Sequence, residues 1–328
     1  MTIPNFFLLG APKCGTSALY EYLREHPGIF IPRLKEPHFF SADFREFGLV
    51  QTEEDYRQLF AECDPEHSAC GEASVFYLYS SVAVRQILAF NPAAKFLVVV
   101  RNPVEMYPSL HAEFVNAFYE DETDCEAAWR LQAARLRGDR IPDLCKETWM
   151  LQYADICSLG EQVARLVSQV PAAQRKIIVY DDFKRSPRAV YEGVLLFLGL
   201  PPDGRTEFPP VNERKSFKYG WIARFLQSPP RFMQKTRKRL KRSYYLRGSL
   251  LGRMTYRVLE WSRQFNSRKT GRSELSPEFA AELAEAFRDD VQLLSSILQR
   301  DLSHWLADAR HQPSTARDHE TMSPLCSR

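Results

Sequence analysis

The sequence predicts an α/β protein with a parallel central sheet flanked by helices and a P-loop-like phosphate-binding loop. Short apolar runs at residues 6–9, 96–100 and 176–180 are each followed by a loop and then by a stretch of helical period. This alternation is typical of βαβ units around a parallel sheet. With 328 residues, 45% of them hydrophobic, the chain is long enough to bury a sizeable core. Because ligands bind at the carboxyl ends of such strands, the motifs that follow them are expected to converge there.

Helical periodicity predicts the elements between the strands and the extent of the domain. The predicted helices cover residues 17–25, 82–90, 104–117, 126–137, 160–170, 187–198 and 276–298. We expect a single domain over residues 1–310. The tail at 311–328 is polar and contains proline, which favours disorder.

The formal charge of +3 conceals a strong asymmetry along the chain. Residues 214–272 contain 18 Lys or Arg and one acid, a local charge of +17 that leaves about −14 on the rest. Because Trp, Phe and Leu are interleaved with these cations, the segment is expected to cap the fold or to contact an anionic membrane surface peripherally. A solvated cationic face is the alternative. No groove-reading motif accompanies the charge, so no nucleic-acid partner is expected.

The number of cysteines and the N-terminal sequence predict the cellular compartment of the protein. Seven cysteines are an odd number spread over a large chain, and the N-terminus lacks the basic region of a signal peptide. No apolar run approaches the 18 residues of a membrane span. We therefore expect a cytoplasmic protein with reduced thiols. Cys63, His67 and Cys70 lack the paired spacing of structural zinc sites, so no metal is expected.

The loop after the first predicted strand has the features of an anion-binding loop. The sequence GAPKCGTS at 10–17 places two glycines and a helix start where consecutive N–H groups can wrap an anion. In a nucleoside-triphosphate loop of the form GxxxxGK[ST], a lysine would stand where this chain has Thr16. Here the lysine is Lys13, in the middle of the loop, which suits a shorter 5′ substituent. The alternative is a plain strand-turn-helix with a solvated lysine.

A second anion anchor follows the strand at 96–100. Arg101 ends that strand, and Ser109 lies about two turns into the following helical stretch. Arginine presents a fork of donors that matches phosphate oxygens, and a serine hydroxyl completes such a pocket. The alternative for Arg101 is a surface ion pair. Together the two anchors indicate a ligand with anionic groups at both ends.

These motifs resemble the sulfotransferases that use 3′-phosphoadenosine 5′-phosphosulfate (PAPS), closest to the heparan sulfate and bacterial branch. FFLLGAPKCGTSALYEYL resembles the 5′-phosphosulfate loop, and VVVRNPVEMYPSL the 3′-phosphate motif. The resemblance continues through KEPHFF at 35–40, EASVFY at 72–77, YDDF at 180–183 and DLSHW at 301–305. It implies in-line transfer of a sulfuryl group from PAPS to an acceptor hydroxyl or amine, with no metal and with release of 3′,5′-ADP.

The resemblance also assigns roles to individual residues. Lys13 would stabilise the charge that grows on the bridging oxygen of the donor. The implied donor contacts are those of Lys13, Cys14, Gly15, Thr16 and Ser17 with the 5′-phosphosulfate, and those of Arg101 and Ser109 with the 3′-phosphate. Arg214 or Lys215 would add contacts to the 3′-phosphate from the basic segment.

The catalytic base is left open between two residues. By resemblance to the heparan branch Glu36 is the base, and by resemblance to the cytosolic small-molecule branch it is His38. Pro37 favours an extended Glu36, and in an extended segment Glu36 and His38 would point the same way. A third interpretation pairs Glu36 with Lys35 or Lys13 and makes His38 a packed ring.

Two departures from the heparan branch bear on the acceptor. Ser41 stands where that branch often carries an acid, and Ala73 where it carries a lysine. We therefore expect a smaller sugar, a lipid or a natural-product alcohol rather than a highly sulfated glycosaminoglycan. Two other functions compete: a P-loop kinase with a rearranged loop, and a catalytically silent module that binds a membrane or a partner.

Overall fold

A computed structural model describes most of the chain. The described residues are 3–44, 50–145, 147–209, 211, 236, 239, 244–245 and 275–307, with the backbone alone at 215–217 and 267–269. The tail at 311–328, most of the basic segment at 214–272 and the extent of the single domain therefore remain predictions. No helix within the described residues is both long and apolar enough to cross a membrane.

A parallel sheet forms the centre of the fold and confirms the predicted α/β class. Within the described residues its five strands stand in the order β2-β3-β1-β4-β5. These strands are β1 (Phe6–Gly10), β2 (Ile29–Phe30), β3 (Ala69–Ala73), β4 (Lys95–Val100) and β5 (Arg175–Val179). Phe7 on β1 lies beside Glu72 on β3 and Phe96 on β4, and Val99 on β4 lies beside Ile178 on β5. A separate antiparallel pair joins β6 (Lys215–Phe217) to β7 (Ser267–Lys269).

The central strands are the ones that their apolar runs predict. Every residue of β1 is buried, and β4 is buried from Phe96 onward, as expected for strands covered by helices on both faces. Strands β2 and β3 lie outside the three predicted strands. The sequence of β3, ACGEA, has no β-branched residue, and it forms because β1 lies against it. A Cβ at Gly71 would lie 2.0 Å from the Phe6 ring, so only glycine allows this close packing.

Helices cover the sheet and occupy every range that the periodicity predicts, with two differences inside those ranges. Within the described part of the chain, three short helices lie outside those ranges, at Glu53–Gln58, Tyr153–Cys157 and Tyr180–Arg185. The described helices are α1 (Thr16–Arg24), α2 (Glu53–Gln58), α3 (Ala83–Phe90), α4 (Pro103–Asn116), α5 (Cys125–Arg130), α6 (Gln132–Leu136), α7 (Tyr153–Cys157), α8 (Leu159–Gln169), α9 (Tyr180–Arg185), α10 (Pro187–Leu198), α11 (Pro277–Ala286) and α12 (Arg288–Leu298).

The two differences are breaks in helices that the periodicity predicts as continuous. The helix predicted at 276–298 bends at Phe287, which buries its ring 5.6 Å from that of Trp129. The bend lets α11 pack on α4 while α12 packs on α8. The helix predicted at 126–137 breaks at Leu131, and α6 then packs on the short 3-10 turn at Thr148–Leu151. Tertiary packing overrides local periodicity at both points.

The strand order places the functional loops at one end of the sheet. From β1 the chain crosses to the edge strand β2 and returns to β3 beside β1, and it then passes to β4 and β5 on the other side of β1. The connections therefore reverse direction beside β1, which opens a crevice at the carboxyl ends of β1 and β4. The sequence motifs at 10–17 and 101–109 both begin at this crevice.

Candidate active site

A cleft of about 560 Å³ opens at the carboxyl ends of the central strands. Most of the residues singled out from the sequence line it together: Lys13, Gly15, Thr16, Ser17, Glu36, Arg101 and Ser109. They come from the loop after β1, the segment after β2, and β4 with its following helix. The predicted convergence of distant motifs is therefore present in the structure.

The loop after β1 has the backbone shape that its glycines predict. Gly15 has a φ of 84° and caps α1, whose N-terminus carries no side-chain cap. A Cβ at Gly15 would lie 2.8 Å from the Tyr180 ring, so a larger residue would push against that ring. The first N–H groups of α1 thus point toward the cleft without a competing side-chain acceptor, which suits an anion.

Lys13 lies at the centre of this loop in a left-handed backbone conformation, with a φ of 61°. Its backbone carbonyl accepts a hydrogen bond of 2.9 Å from Arg101 Nη1. Its ammonium lies 2.6 Å from a carboxylate oxygen of Glu113 on α4. The strained conformation is therefore fixed from the neighbouring strand, and the charge of Lys13 is directed into the cleft.

Arg101 is held at the end of β4 by three neighbours. Besides the Lys13 carbonyl, it pairs with Glu105 at 2.8 Å and lies over the Tyr180 ring, 4.8 Å from the ring centre. Its Nε is buried and has no hydrogen-bond partner among the described residues. A buried guanidinium N–H without a partner is costly, so it marks a position where an anionic ligand atom is expected.

Helix α4 presents a row of polar groups to the cleft. It begins where Asn102 accepts a hydrogen bond from the Val104 N–H and Pro103 occupies the first turn, a strong helix start. Glu105, Ser109 and Glu113 then follow at intervals of four residues, so they share one helix face. Ser109 is buried and lines the cleft between the two carboxylates.

Glu36 lines the cleft and carries close charged partners. Its side chain is 32% exposed, and its carboxylate lies 2.9 Å from Lys35 Nζ and 3.7 Å from His38 Nε2. Burial raises the pKa of Glu36, but the Lys35 charge and the His38 contact outweigh burial and lower the pKa to about 2. The interpretation that pairs Glu36 with Lys35 describes the geometry correctly.

His38 differs from Glu36 in its access to the cleft. Its side chain is 2% exposed and packs near Phe76 and Tyr77, with ring centres 5.9 and 5.8 Å away. The prediction of an extended segment is wrong, because Glu36 and His38 have φ values of 61° and 53°. Their side chains meet through these two left-handed turns rather than through strand alternation. The backbone N–H groups of both residues are hydrogen-bonded at the end of β3. These hydrogen bonds override the preference for an extended Glu36 that Pro37 imposes.

The end of β3 supports the segment that carries Glu36. The Glu36 N–H donates to the Ala73 carbonyl at 2.8 Å, and the His38 N–H donates to Ser74 Oγ at 3.1 Å. Ser74 in turn donates to the carboxylate of Glu72 at 2.5 Å, and Tyr56 donates to the same carboxylate at 2.5 Å. Burial raises the pKa of Glu72 to about 7, although these hydrogen bonds lower it in part. This buried network fixes the backbone beneath the candidate base.

Three predicted contacts need correction or lie outside the description. The Cys14 side chain is buried, where its thiol donates to the Pro12 carbonyl and contacts Met106, so it faces the core rather than the cleft. Burial raises the pKa of Cys14 to about 12, which keeps the thiol protonated. Arg214 lies outside the described residues. At Lys215 only the backbone, in β6, is described.

The structure adds cleft residues that sequence reasoning missed. Glu113 and Tyr180 line the cleft, and Glu105 holds Arg101 from beside it. Lys35, which the sequence offers only as a partner of Glu36, lines the cleft as well. Tyr180 could have been found, because it directly follows a predicted strand whose carboxyl end faces the site. Glu113 could also have been found by extending the four-residue spacing from Ser109. Within the described residues, no three His, Cys, Asp or Glu side chains are grouped to hold a metal ion.

Comparisons with known proteins show which family the chain belongs to. The family model for the sulfotransferase domain matches residues 4–219, more than half of the chain. Carbohydrate sulfotransferase 15 from Rattus norvegicus is 30% identical over 35% of this chain and 28% of its own length. The heparan sulfate glucosamine 3-O-sulfotransferase 6 of Homo sapiens is 36% identical over 34% of this chain and 30% of its own length. The matches thus span less than a third of either relative.

A solved structure covers far more of the molecule. A sulfotransferase from Alicyclobacillus acidocaldarius superimposes with a TM-score of 0.65 at 25% identity, over 93% of this chain and 99% of that one. The family model begins just before β1 and runs through β6, so it includes the loop at 10–17, the KEPHFF segment and the Arg101 anchor. On the strength of that match, this chain belongs to the sulfotransferase family.

Proposed function

We propose that the protein is a PAPS-dependent sulfotransferase that transfers a sulfuryl group to an acceptor hydroxyl or amine and releases 3′,5′-ADP. The proposal rests on one observation. The two anion anchors lie in one cleft, where Arg101 Nη1 donates a hydrogen bond of 2.9 Å to the Lys13 carbonyl. A ligand that carries anionic groups on both the 3′ and the 5′ position of one ribose would contact both anchors at once. The family assignment supplies the reaction class.

The residues present fit the donor. The unpartnered Nε of Arg101 and the Ser109 hydroxyl would hold the 3′-phosphate. Lys13, Thr16, Ser17 and the N-terminal amides of α1 would hold the 5′-phosphosulfate. Tyr180 would present its ring to the nucleoside beside Arg101. Because the loop has Thr16 at the position of the nucleoside-triphosphate lysine, it lacks the group that would reach β- and γ-phosphates.

The chemistry divides between Lys13 and Glu36. PAPS supplies an activated sulfuryl group whose bond to the bridging oxygen of the 5′-phosphate breaks as the bond from sulfur to the acceptor oxygen forms. Lys13 neutralises the charge left on the bridging oxygen. Glu36 accepts the proton that the acceptor hydroxyl loses, so protons and charges balance. We assign the base to Glu36 rather than His38 because Glu36 lines the cleft, whereas His38 is buried behind it.

The acceptor that fits the cleft walls is an apolar alcohol, such as a lipid or natural-product hydroxyl. Beyond the donor loop the cleft is lined by apolar side chains: Val75, Phe76, Leu110, Phe114, Ala117 and Met150. Of the cleft residues that the structure describes, the cations are Lys13, Lys35 and Arg101, and each is paired with a carboxylate. A highly sulfated glycosaminoglycan would need free cations along its path.

Both positions that depart from the heparan branch agree with this acceptor class. Ser41 is buried, and its hydroxyl donates to the His38 carbonyl at 3.1 Å. Ala73 contributes its backbone carbonyl to Glu36 and has no charged group to offer a sulfated sugar. A membrane contact by the basic segment would bring the protein close to lipid alcohols. That contact and the cytoplasmic location remain proposals from the sequence.

Calorimetry and an acceptor panel test the proposal. The purified protein is titrated with 3′,5′-ADP and, separately, with ATP in excess Mg²⁺. It is then incubated with PAPS and either a long-chain alcohol, a phenol or a heparan sulfate oligosaccharide. We expect binding of 3′,5′-ADP and sulfation of the apolar acceptors. Tighter binding of Mg²⁺-ATP would favour the kinase alternative. Binding to anionic vesicles that persists in Arg101→Ala, without sulfation of any acceptor, would favour the silent module.

A further inference from the structure

Lys35 occupies a position between the donor loop and the candidate base. Its ammonium donates to Ser17 Oγ at 2.8 Å and to a carboxylate oxygen of Glu36 at 2.9 Å. Ser17 lies in the first turn of α1, within the loop that would hold the phosphosulfate. A lysine ammonium has three N–H donors, so Lys35 can serve both partners and still reach a third acceptor.

Lys35 and Glu36 differ in how firmly they are fixed. The Glu36 N–H donates to the Ala73 carbonyl and the His38 N–H donates to Ser74, so the backbone that carries the Glu36 side chain is held at the end of β3. Lys35 reaches its partners through a flexible four-carbon side chain that is 26% exposed. A change in the cleft can therefore move the Lys35 ammonium while the backbone beneath the Glu36 carboxylate stays in place.

We propose that Lys35 is a positioning residue that couples occupation of the donor loop to the basicity of Glu36. An anionic oxygen is a stronger acceptor for an ammonium than the neutral hydroxyl of Ser17 is. With a phosphosulfate in the loop, Lys35 turns toward it in place of Ser17, and its ion pair with Glu36 weakens because the ammonium is then shared between two anions. The carboxylate then becomes a stronger base at the point where a sulfuryl group is available. This inference rests on the proposed function.

The electrostatics of Glu36 agree with this coupling. A general base works best with a pKa near the working pH, and the present partners hold the pKa of Glu36 at about 2. Lys35 is the largest of the charged influences that lower the pKa, ahead of His38. The other charged groups around Glu36 in the described cleft are Lys13 and Glu113, which pair with each other, and Arg101. Glu72 lies behind Glu36 on β3. Lys35 is therefore the charged partner that a bound donor can draw away from Glu36.

The test is a direct titration of the Glu36 carboxyl. Protein labelled with ¹³C at the glutamate carboxyls is followed by NMR as the pH changes, and the Glu36 signal is assigned by its loss in Glu36→Gln. We expect a low pKa in the wild type, a rise of about two units or more on adding PAPS without acceptor, and a pKa already raised in Lys35→Met. In Lys35→Met, PAPS should cause little further rise.

Two further variants serve as controls. Lys35→Arg keeps the charge and should keep the pKa low, whereas Lys184→Met removes a lysine from the exposed surface of α9 and should leave Glu36 unchanged. An unchanged Glu36 pKa in Lys35→Met would overturn the proposal. So would PAPS binding that leaves the wild-type titration unmoved. Absence of PAPS binding in calorimetry would instead overturn the proposed function itself, and the coupling with it.

Discussion

The Arg101 guanidinium donates a hydrogen bond of 2.9 Å to the backbone carbonyl of Lys13. This contact joins the carboxyl end of β4 to the loop after β1, two segments 88 residues apart in the chain. It explains how a lysine in a left-handed conformation is held over the cleft. Because of this contact the two anion anchors form one unit. A substitution in either anchor should therefore weaken ligand binding at both.

The first prediction concerns the Arg101 anchor. Arg101→Ala removes a guanidinium that would contact the 3′-phosphate and also releases the Lys13 carbonyl. We expect the affinity for 3′,5′-ADP to fall by about ten- to a hundredfold, since charge-assisted hydrogen bonds contribute roughly 1.5–3 kcal/mol. Calorimetric titration measures this. The matched control is Arg130→Ala, which removes an exposed arginine paired with Glu126 and Glu282 outside the cleft. Equal affinities in the two variants would contradict the anchor.

The second prediction concerns Glu113, which holds the Lys13 ammonium at 2.6 Å. An anionic ligand must compete with this carboxylate for Lys13 and is repelled by it. Glu113→Gln should therefore raise the affinity for 3′,5′-ADP by about two- to fivefold, a modest change because the pair is exposed and screened. Glu126→Gln makes the same change of charge on α5 and should have no effect. Weaker binding in Glu113→Gln would show that Glu113 assists the ligand instead.

The third prediction concerns the loop glycine. In Gly15→Ala the new Cβ meets the Tyr180 ring at 2.8 Å, and the backbone must keep a φ of 84°. We expect a loss of stability and at least an approximately tenfold loss of 3′,5′-ADP affinity, because the ring lies beside Arg101. Gly138→Ala tests the backbone cost alone, since Gly138 has a φ of 92° with no atom within 4 Å of its added Cβ.

Thermal unfolding and calorimetry of the two alanine variants separate these effects. Gly138→Ala should lower the free energy of unfolding by about 1 kcal/mol and leave ligand binding intact. Equal losses of stability in both variants, with full binding in Gly15→Ala, would show that the Tyr180 contact does not matter to the site.

The fourth prediction concerns the pH dependence of stability. Burial raises the pKa of Glu72 to about 7 in the folded protein, whereas an unfolded glutamate titrates near pH 4.3. Between these values the folded state binds more protons than the unfolded state, so stability falls as the pH rises from about 4 to about 7. The loss attributable to Glu72 is of the order of 3 kcal/mol.

Urea unfolding at pH 5 and pH 8 measures this contribution. Glu72→Gln has no carboxyl to titrate, so the difference in free energy of unfolding between the two pH values should shrink by most of that amount. A pH dependence as steep in Glu72→Gln as in the wild type would assign the effect to other groups.

The sequence predicts the central part of the fold and most of the site, for identifiable reasons. The apolar runs of the sequence predict strands β1, β4 and β5. The sequence GAPKCGTS begins at the end of β1, and Arg101 directly follows β4. By contrast, β3 is built from small residues around a glutamate, and it is a strand only because Phe6 packs over Gly71. The sequence predicts that Glu36 and His38 point the same way in an extended segment, but the structure brings them together through a backbone that is not extended.

It is harder to predict from the sequence which carboxylates pair with the cations of the cleft. Glu113 is 100 residues from Lys13 in the chain, and only the packing of α4 beside the loop brings them together. Local pattern carries no information about such a contact. The same holds for Lys35, whose partner Ser17 lies on a different element. Apart from the pair of Lys35 with Glu36, which are adjacent in the chain, the pairing of charges in the cleft comes from the structure, whereas residue types and motif order come from the sequence.

The most direct test of the central claim is a transfer assay with ³⁵S-labelled PAPS and a long-chain alcohol, comparing the wild type with Glu36→Gln. The wild type should yield a labelled sulfate ester and 3′,5′-ADP in equal amounts. Glu36→Gln should bind 3′,5′-ADP normally and lose about 10²–10⁴-fold in rate, the usual contribution of a general base. Full activity in Glu36→Gln would contradict the assignment of the base, and no labelled ester from the wild type with any acceptor would contradict the proposed reaction.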